Sequence, residues 1–159
     1  KELVSQVADA IRRGATVNVI VPEESDEGDK LNYGNIGTLQ TLKRASEEPG
    51  AKGKFNAYLF RKDVKFNHSK AMSFDVKTAI VGSTNLTSRS LHGTITGFLF
   101  NKEMSLMVDD KEFVRDLNKD LFNRDMTPQY SKKLDDKWFK EIEKEQDKID
   151  KYSAIQPMF

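Results

Sequence analysis

The sequence predicts an α/β domain, a mixed β-sheet flanked by helices with a polar cluster held at strand ends. Two observations predict it. Segments with apolar residues at helical spacing alternate with short runs rich in β-branched residues, and glycine, proline and charged clusters punctuate them. The chain has 159 residues, enough for one domain with a proper core and too few for a second lobe. The arrangement that follows places Val17 to Val21 and Thr78 to Val81 in a single sheet.

The elements are read in order. Leu3, Val4, Val7, Ala8 and Ile11 fall on one helical face, with Arg12 and Arg13 toward its C-terminal end and Gly14 as its stop. Val17 to Pro22 is a β-branched run closed by proline, a buried parallel strand. Glu23 to Asp29 packs five acidic residues into seven positions and reads as a solvated loop, since the ordered ligand spacing of a calcium loop is missing. Ile36 to Ala45 is a short helix with Ile36, Leu39 and Leu42 inward, Ser46 to Lys54 a loop, and Phe55 to Phe60 a strand. Leu91 to Phe100 carries two glycines and the apolar cluster Ile95, Phe98, Leu99 and Phe100. It reads as a buried strand or hairpin, with a lipid-touching loop as the alternative. Met104 to Val108 is a further strand, and Lys111 to Arg124 a packing helix through Phe113, Val114, Leu117, Leu121 and Phe122. Pro128 breaks the chain, and a helix from Leu134 to Tyr152 carries Leu134, Trp138, Ile142 and Ile149 on a thin apolar face. Residues 1–125 form the main lobe, and residues 126–159 a helical tail that packs on the lobe or on a partner.

Composition narrows the chemistry. There is no cysteine, which excludes disulfides and thiolate metal sites, and two histidines are too few for a histidine-rich metal site. No metal or cofactor is expected. Lysine and arginine number 26 against 25 acidic residues, so any anion must be met locally rather than by a global field. No apolar run reaches the roughly 20 residues that span a bilayer, which predicts a soluble chain of unassigned compartment.

The polar cluster lies between Phe66 and Ser90. His68, Lys70, Asp75, Ser83 and Asn85 fall in the pattern H-x-K, four residues, D, six residues, G-S-x-N. On a strand, His68 and Lys70 would share a face with Ser69 opposite, and Asp75 would lie in the turn between two strands. An imidazole beside an ammonium suits phosphodiester chemistry: the neutral ring attacks phosphorus while the cation neutralises the non-bridging oxygens. Asn85 and Ser83 can add hydrogen bonds to the same oxygens. His92 has no placed partners and is read as non-catalytic. G-S-T-N lacks the elbow of a serine hydrolase, so Ser83 is no nucleophile.

At every defining position this pattern resembles the signature of the phospholipase D superfamily. RRGATVNVIVP, Arg12 to Pro22, is similar to the second lobe of bacterial cardiolipin synthases and related enzymes, as is the order of helix, break and tryptophan-bearing helix at the C-terminal end. The resemblance implies a phosphodiesterase or phosphatidyltransferase acting on phospholipid through a phosphohistidine. It implies His68, Lys70 and Asp75 as catalytic, with Asp75 supporting the machinery, and His68, Lys70, Ser83 and Asn85 as the phosphate-binding set. The family's N-x-E element matches Asn101 and Glu103, with Glu103 in support, after a longer gap than usual.

One imidazole must attack while a second protonates the leaving oxygen, so the second motif is expected from another lobe or a homodimer partner. His68 is then nucleophile or general acid according to its lobe, the acid role falling to a C-terminal half. An opening helix without a preceding strand suggests a lobe lacking its first strand, cut from a longer parent that touches a membrane peripherally. A homodimeric nuclease acting on nucleic acid, or an inactive phosphate-binding lobe, are the alternatives.

Overall fold

The computed structural model describes residues 2–23, 29–64, 67–84 and 103–155. Asn85, His92, Asn101, the segment Leu91 to Phe100 and most of the acidic run after Glu23 lie outside the described residues.

Helix α1 (Glu2–Arg13) stops where Gly14 takes φ 123°, a conformation that glycine adopts without penalty. Strand β1 (Thr16–Pro22) follows, then α2 (Asp29–Glu47) and β2 (Lys54–Phe60). The two strands are parallel, Thr16 opposite Lys54 through Pro22 opposite Phe60, as a βαβ unit requires. Val21, Leu39, Ala57, Leu134 and Phe139 form one buried cluster, and Ala8, Ile11, Leu42 and Ala45 another, with Val19 and Phe55 packed against both. The apolar face of this sheet is therefore the one covered by α1, α2 and the C-terminal part of the chain.

Helix α2 begins well before Ile36. Its first half contains Gly34 and Gly37, residues of poor helix propensity that hide it from a periodicity search. Gly34 is buried, so the small residue serves packing.

Beyond β2 come the hairpin β3 (Ala71–Phe74) and β4 (Thr78–Gly82), then β5 (Ser105–Val108). These three are antiparallel in the order β3-β4-β5. The expectation of one sheet holding Val17 to Val21 and Thr78 to Val81 is therefore corrected: the described residues form two three-stranded sheets, β1-β2-β6 and β3-β4-β5. The reason is visible at β2. Its free edge is taken by β6 (Ser131–Lys133), antiparallel with Tyr58 opposite Lys133, so the hairpin pairs with β5 instead. The first sheet is mixed and helices pack on it, so the fold is α/β.

Helix α3 (Lys111–Leu117) is capped by Asp110, whose carboxylate accepts the Phe113 N–H at 2.8 Å, and it widens into a π-turn over Asn118–Asn123. The single helix expected from Leu134 to Tyr152 is α4 (Asp136–Ile142), a 3₁₀ turn (Glu143–Glu145) and α5 (Gln146–Ile155). Leu134 is still strand-like, its N–H donating to the Ala57 carbonyl. Asp135 caps α4 by accepting the Trp138 N–H at 2.8 Å. Helix α5 lies on α2 through buried Ile149 and the bond from Gln40 to Gln146 (3.2 Å), and the 3₁₀ turn before it is joined to α2 by Tyr33 donating to Glu145 (3.1 Å). No helix among the described residues is long and apolar enough to cross a membrane.

Candidate active site

Three pieces of the motif meet at one end of the β3-β4-β5 sheet. Ala71 stands opposite Val81, and one step further the Gly82 N–H donates to the Lys70 carbonyl at 3.1 Å. On the other side of β4, Gly82 stands opposite Ser105. The ends of H-x-K, G-S and the Glu103 segment are thus neighbours across three adjacent segments of the sheet.

The H-x-K segment itself is not a strand; β3 begins at Ala71. The local reason is Asn67, whose side-chain oxygen accepts the Ser69 N–H at 3.0 Å and gives the backbone an alternative to ladder pairing. The expected alternation of His68 and Lys70 about Ser69 on a strand is corrected accordingly. Lys70 Nζ donates to the main-chain oxygen of His68 at 3.0 Å, which draws the ammonium back along its own backbone. His68 is exposed and Lys70 half-buried.

Ser83 is held from both sides. Its hydroxyl donates to Glu103 Oε2 at 2.7 Å, and its oxygen accepts the Met104 N–H at 3.1 Å. The Ser83 N–H in turn donates to the Met104 carbonyl at 3.0 Å. Glu103 thereby stands on Ser83 although twenty residues separate them.

Gly82 permits this approach. A Cβ there would fall 2.4 Å from the Met104 carbonyl oxygen and 2.6 Å from the Ser105 Cα. Sequence reading named Gly82 only as part of the pattern and missed Asn67, the Met104 main chain, and the side-chain bonds Ser105 to Thr84 and Thr78 to Asp109 that tie β4 to β5. Apart from Asn67, whose bond to the Ser69 N–H is local, their signals in the sequence are weak, since each depends on which strand comes alongside.

Asp75 lies elsewhere. It occupies the turn between β3 and β4, as expected, with φ 51°, and Val76 beside it shares that angle. The Lys77 N–H closes the turn on the Phe74 carbonyl at 2.9 Å. Five residues of extended chain separate Asp75 from Lys70, about 16 Å at roughly 3.3 Å per residue. The structure therefore gathers Lys70, Ser83 and Glu103, with His68 two residues away, and leaves Asp75 at the far end of the hairpin.

Strand β5 carries apolar side chains into solvent, Met107 being 71% exposed and Leu106 63%, and Met104 just before it is 76% exposed. Among the described residues no group of three or more histidine, aspartate or glutamate side chains is placed to hold a metal ion.

In the comparison with known families, the cardiolipin synthase, PLD-like domain matches residues 1–126. No curated protein and no solved structure gives a significant match.

Proposed function

Because the chain belongs to the cardiolipin synthase, PLD-like domain family, we propose that it is one lobe of a phospholipase D-type phosphodiesterase or phosphatidyltransferase whose substrate is a phospholipid. The observation that supports this reading is the convergence of Lys70, Ser83 and Glu103 at one sheet end beside an exposed His68. A phosphodiester set there would meet a nucleophile, a cation and hydrogen-bond donors together.

In the reaction, one neutral imidazole attacks phosphorus while a protonated imidazole from a second motif donates its proton to the departing alkoxide. A P–N bond forms, the P–O bond breaks, and an alcohol leaves. The second imidazole, now neutral, takes a proton from water or from an acceptor alcohol. The new oxygen attacks phosphorus and releases the first ring. His68 supplies one of these two rings and Lys70 neutralises the non-bridging oxygens, assisted by Asn85. Ser83 serves phosphate by exchanging its bond to Glu103, which otherwise anchors it. Asp75 acts from the turn as a support of the hairpin. The second motif comes from another lobe or another copy, and the apolar side chains exposed on β5 offer such a partner a surface.

The test is turnover of a phospholipid by the intact protein and by His68→Asn. The variant is expected to lose at least about a hundredfold in rate with its fold intact, and activity is expected to persist in EDTA. Unchanged turnover in His68→Asn would remove His68 from the mechanism.

A further inference from the structure

The peptide bond between His68 and Ser69 is gripped at both ends by side chains of its own segment. Its N–H, that of Ser69, donates to the Asn67 side-chain oxygen at 3.0 Å, and its carbonyl, that of His68, accepts from Lys70 Nζ at 3.0 Å. The first of these bonds closes a ring that runs from the Asn67 side chain through the backbone of His68, so both soft torsions of His68 lie inside it.

The surroundings make those torsions decisive for where the imidazole stands. In a strand the ladder would fix them, but β3 begins only at Ala71. His68 is exposed, so close packing does not set the direction of its ring, whereas Asn67 before it is half-buried. On the other side, the Gly82 N–H donates to the Lys70 carbonyl at 3.1 Å and ties the end of the segment to β4. His68 is thus carried on a short loop anchored at Lys70, and the Asn67 bond gives that loop its shape.

We infer that Asn67 is a positioning residue for His68. The inference rests on the reading of His68 as one of the two reacting rings, and it adds the residue that aims this ring. Asn67 acts through the His68 backbone. When a substrate phosphate competes for the Lys70 ammonium, the grip on the His68 carbonyl weakens, and Asn67 keeps its hold on the other end of the same peptide through the chemical step. A reacting nitrogen displaced by about 1 Å can cost about a hundredfold in rate, so the effect of Asn67 falls on turnover rather than on affinity.

The test compares Asn67→Ala with Asn67→Asp, which keeps the acceptor oxygen and nearly the same shape. Exchange of the Ser69 amide with water, measured on ¹⁵N-labelled protein, reads the bond itself. It is expected to be at least about tenfold faster in Asn67→Ala and near the wild-type rate in Asn67→Asp, with the amides of β3 and β4 unchanged in both. Turnover of phosphatidylglycerol in detergent micelles, by the assembly that holds two motifs, reads the consequence. Asn67→Ala is expected to lose at least about tenfold in kcat with KM within about threefold, and Asn67→Asp to recover most of kcat while its added charge raises KM for an anionic phosphodiester. A merely structural role would give neither that division between kcat and KM nor the rescue. Wild-type kcat in Asn67→Ala, equal loss of kcat in the two variants, or an unaltered Ser69 exchange rate in Asn67→Ala would overturn the inference. His68→Asn separates this from the reading beneath it: full turnover there removes His68 from the mechanism and the inference with it, whereas an inactive His68→Asn beside a fully active Asn67→Ala removes the inference alone.

Discussion

Val76 sits at φ 51° with a β-branched side chain half exposed at the tip of the β3-β4 hairpin. Such a backbone angle costs a branched residue roughly 1–3 kcal/mol, whereas asparagine tolerates it. Val76→Asn is therefore expected to stabilise the protein by about 1 kcal/mol in urea unfolding, with turnover unchanged. A loss of stability would mean that the Val76 side chain contributes packing that outweighs the strain.

Glu103 gives a second prediction at this scale, because its carboxylate receives the one hydroxyl proton of Ser83. Glu103→Gln keeps the shape and the acceptor oxygen, so it should fold normally and cost less turnover than Glu103→Ala. Equal turnover in the two variants would show that the Ser83 anchor is unimportant. At the residue scale the motif was legible because its spacing is fixed along the chain. The crowding at Gly82 was not, since it exists only once β5 lies beside β4, and the local turn at Asn67 was passed over because the H-x-K segment was read as a strand.

Among the elements, α2 is the hub, and one of its ties to α4 is an ion pair. Lys43 Nζ lies 2.7 Å from Asp136 and 2.8 Å from Glu47. Burial acts to lower the Lys43 ammonium, but the hydrogen bonds it donates to Asp136 and Glu47 outweigh it and raise the group above its ordinary 10.5. The Lys43 bond lowers Asp136 below its ordinary 3.8. The depressed carboxylate contributes stability above its unfolded value and loses it as pH falls through the folded one; the raised ammonium loses its contribution as pH rises beyond 10.5. Asp136 is exposed, so the effect is small. Asp136→Asn should flatten the fall in urea midpoint below about pH 4 and leave the midpoint near neutrality little changed. An unaltered acid limb would show that the pair does not act in solution.

The short strands could be read from β-branching and the first helix from its apolar stripe. The start of α2 was concealed by its glycines, and the start of α4 was placed two residues early. The aspartate pair Asp135–Asp136, an N-cap signal, points to the correct start.

For the whole molecule, local pattern established the α/β class but not which strand edges pair. β6 comes from a stretch read as the approach to a helix, and by taking the edge of β2 it divides the strands into two sheets. The convergence of Lys70, Ser83 and Glu103 depends on the second sheet alone, which is why the spacing of the motif was legible along the chain while the sheet that carries it was not.

The central claim is that this chain supplies one of two imidazoles that must hold opposite protonation states at the same moment. Turnover of a phospholipid, measured together with the mass of the active species, tests it most directly. The 159-residue chain as a monomer is predicted to be inactive, with turnover appearing only in assemblies that hold two motifs and vanishing with His68→Asn. Robust turnover by a demonstrated monomer of this chain would contradict the claim.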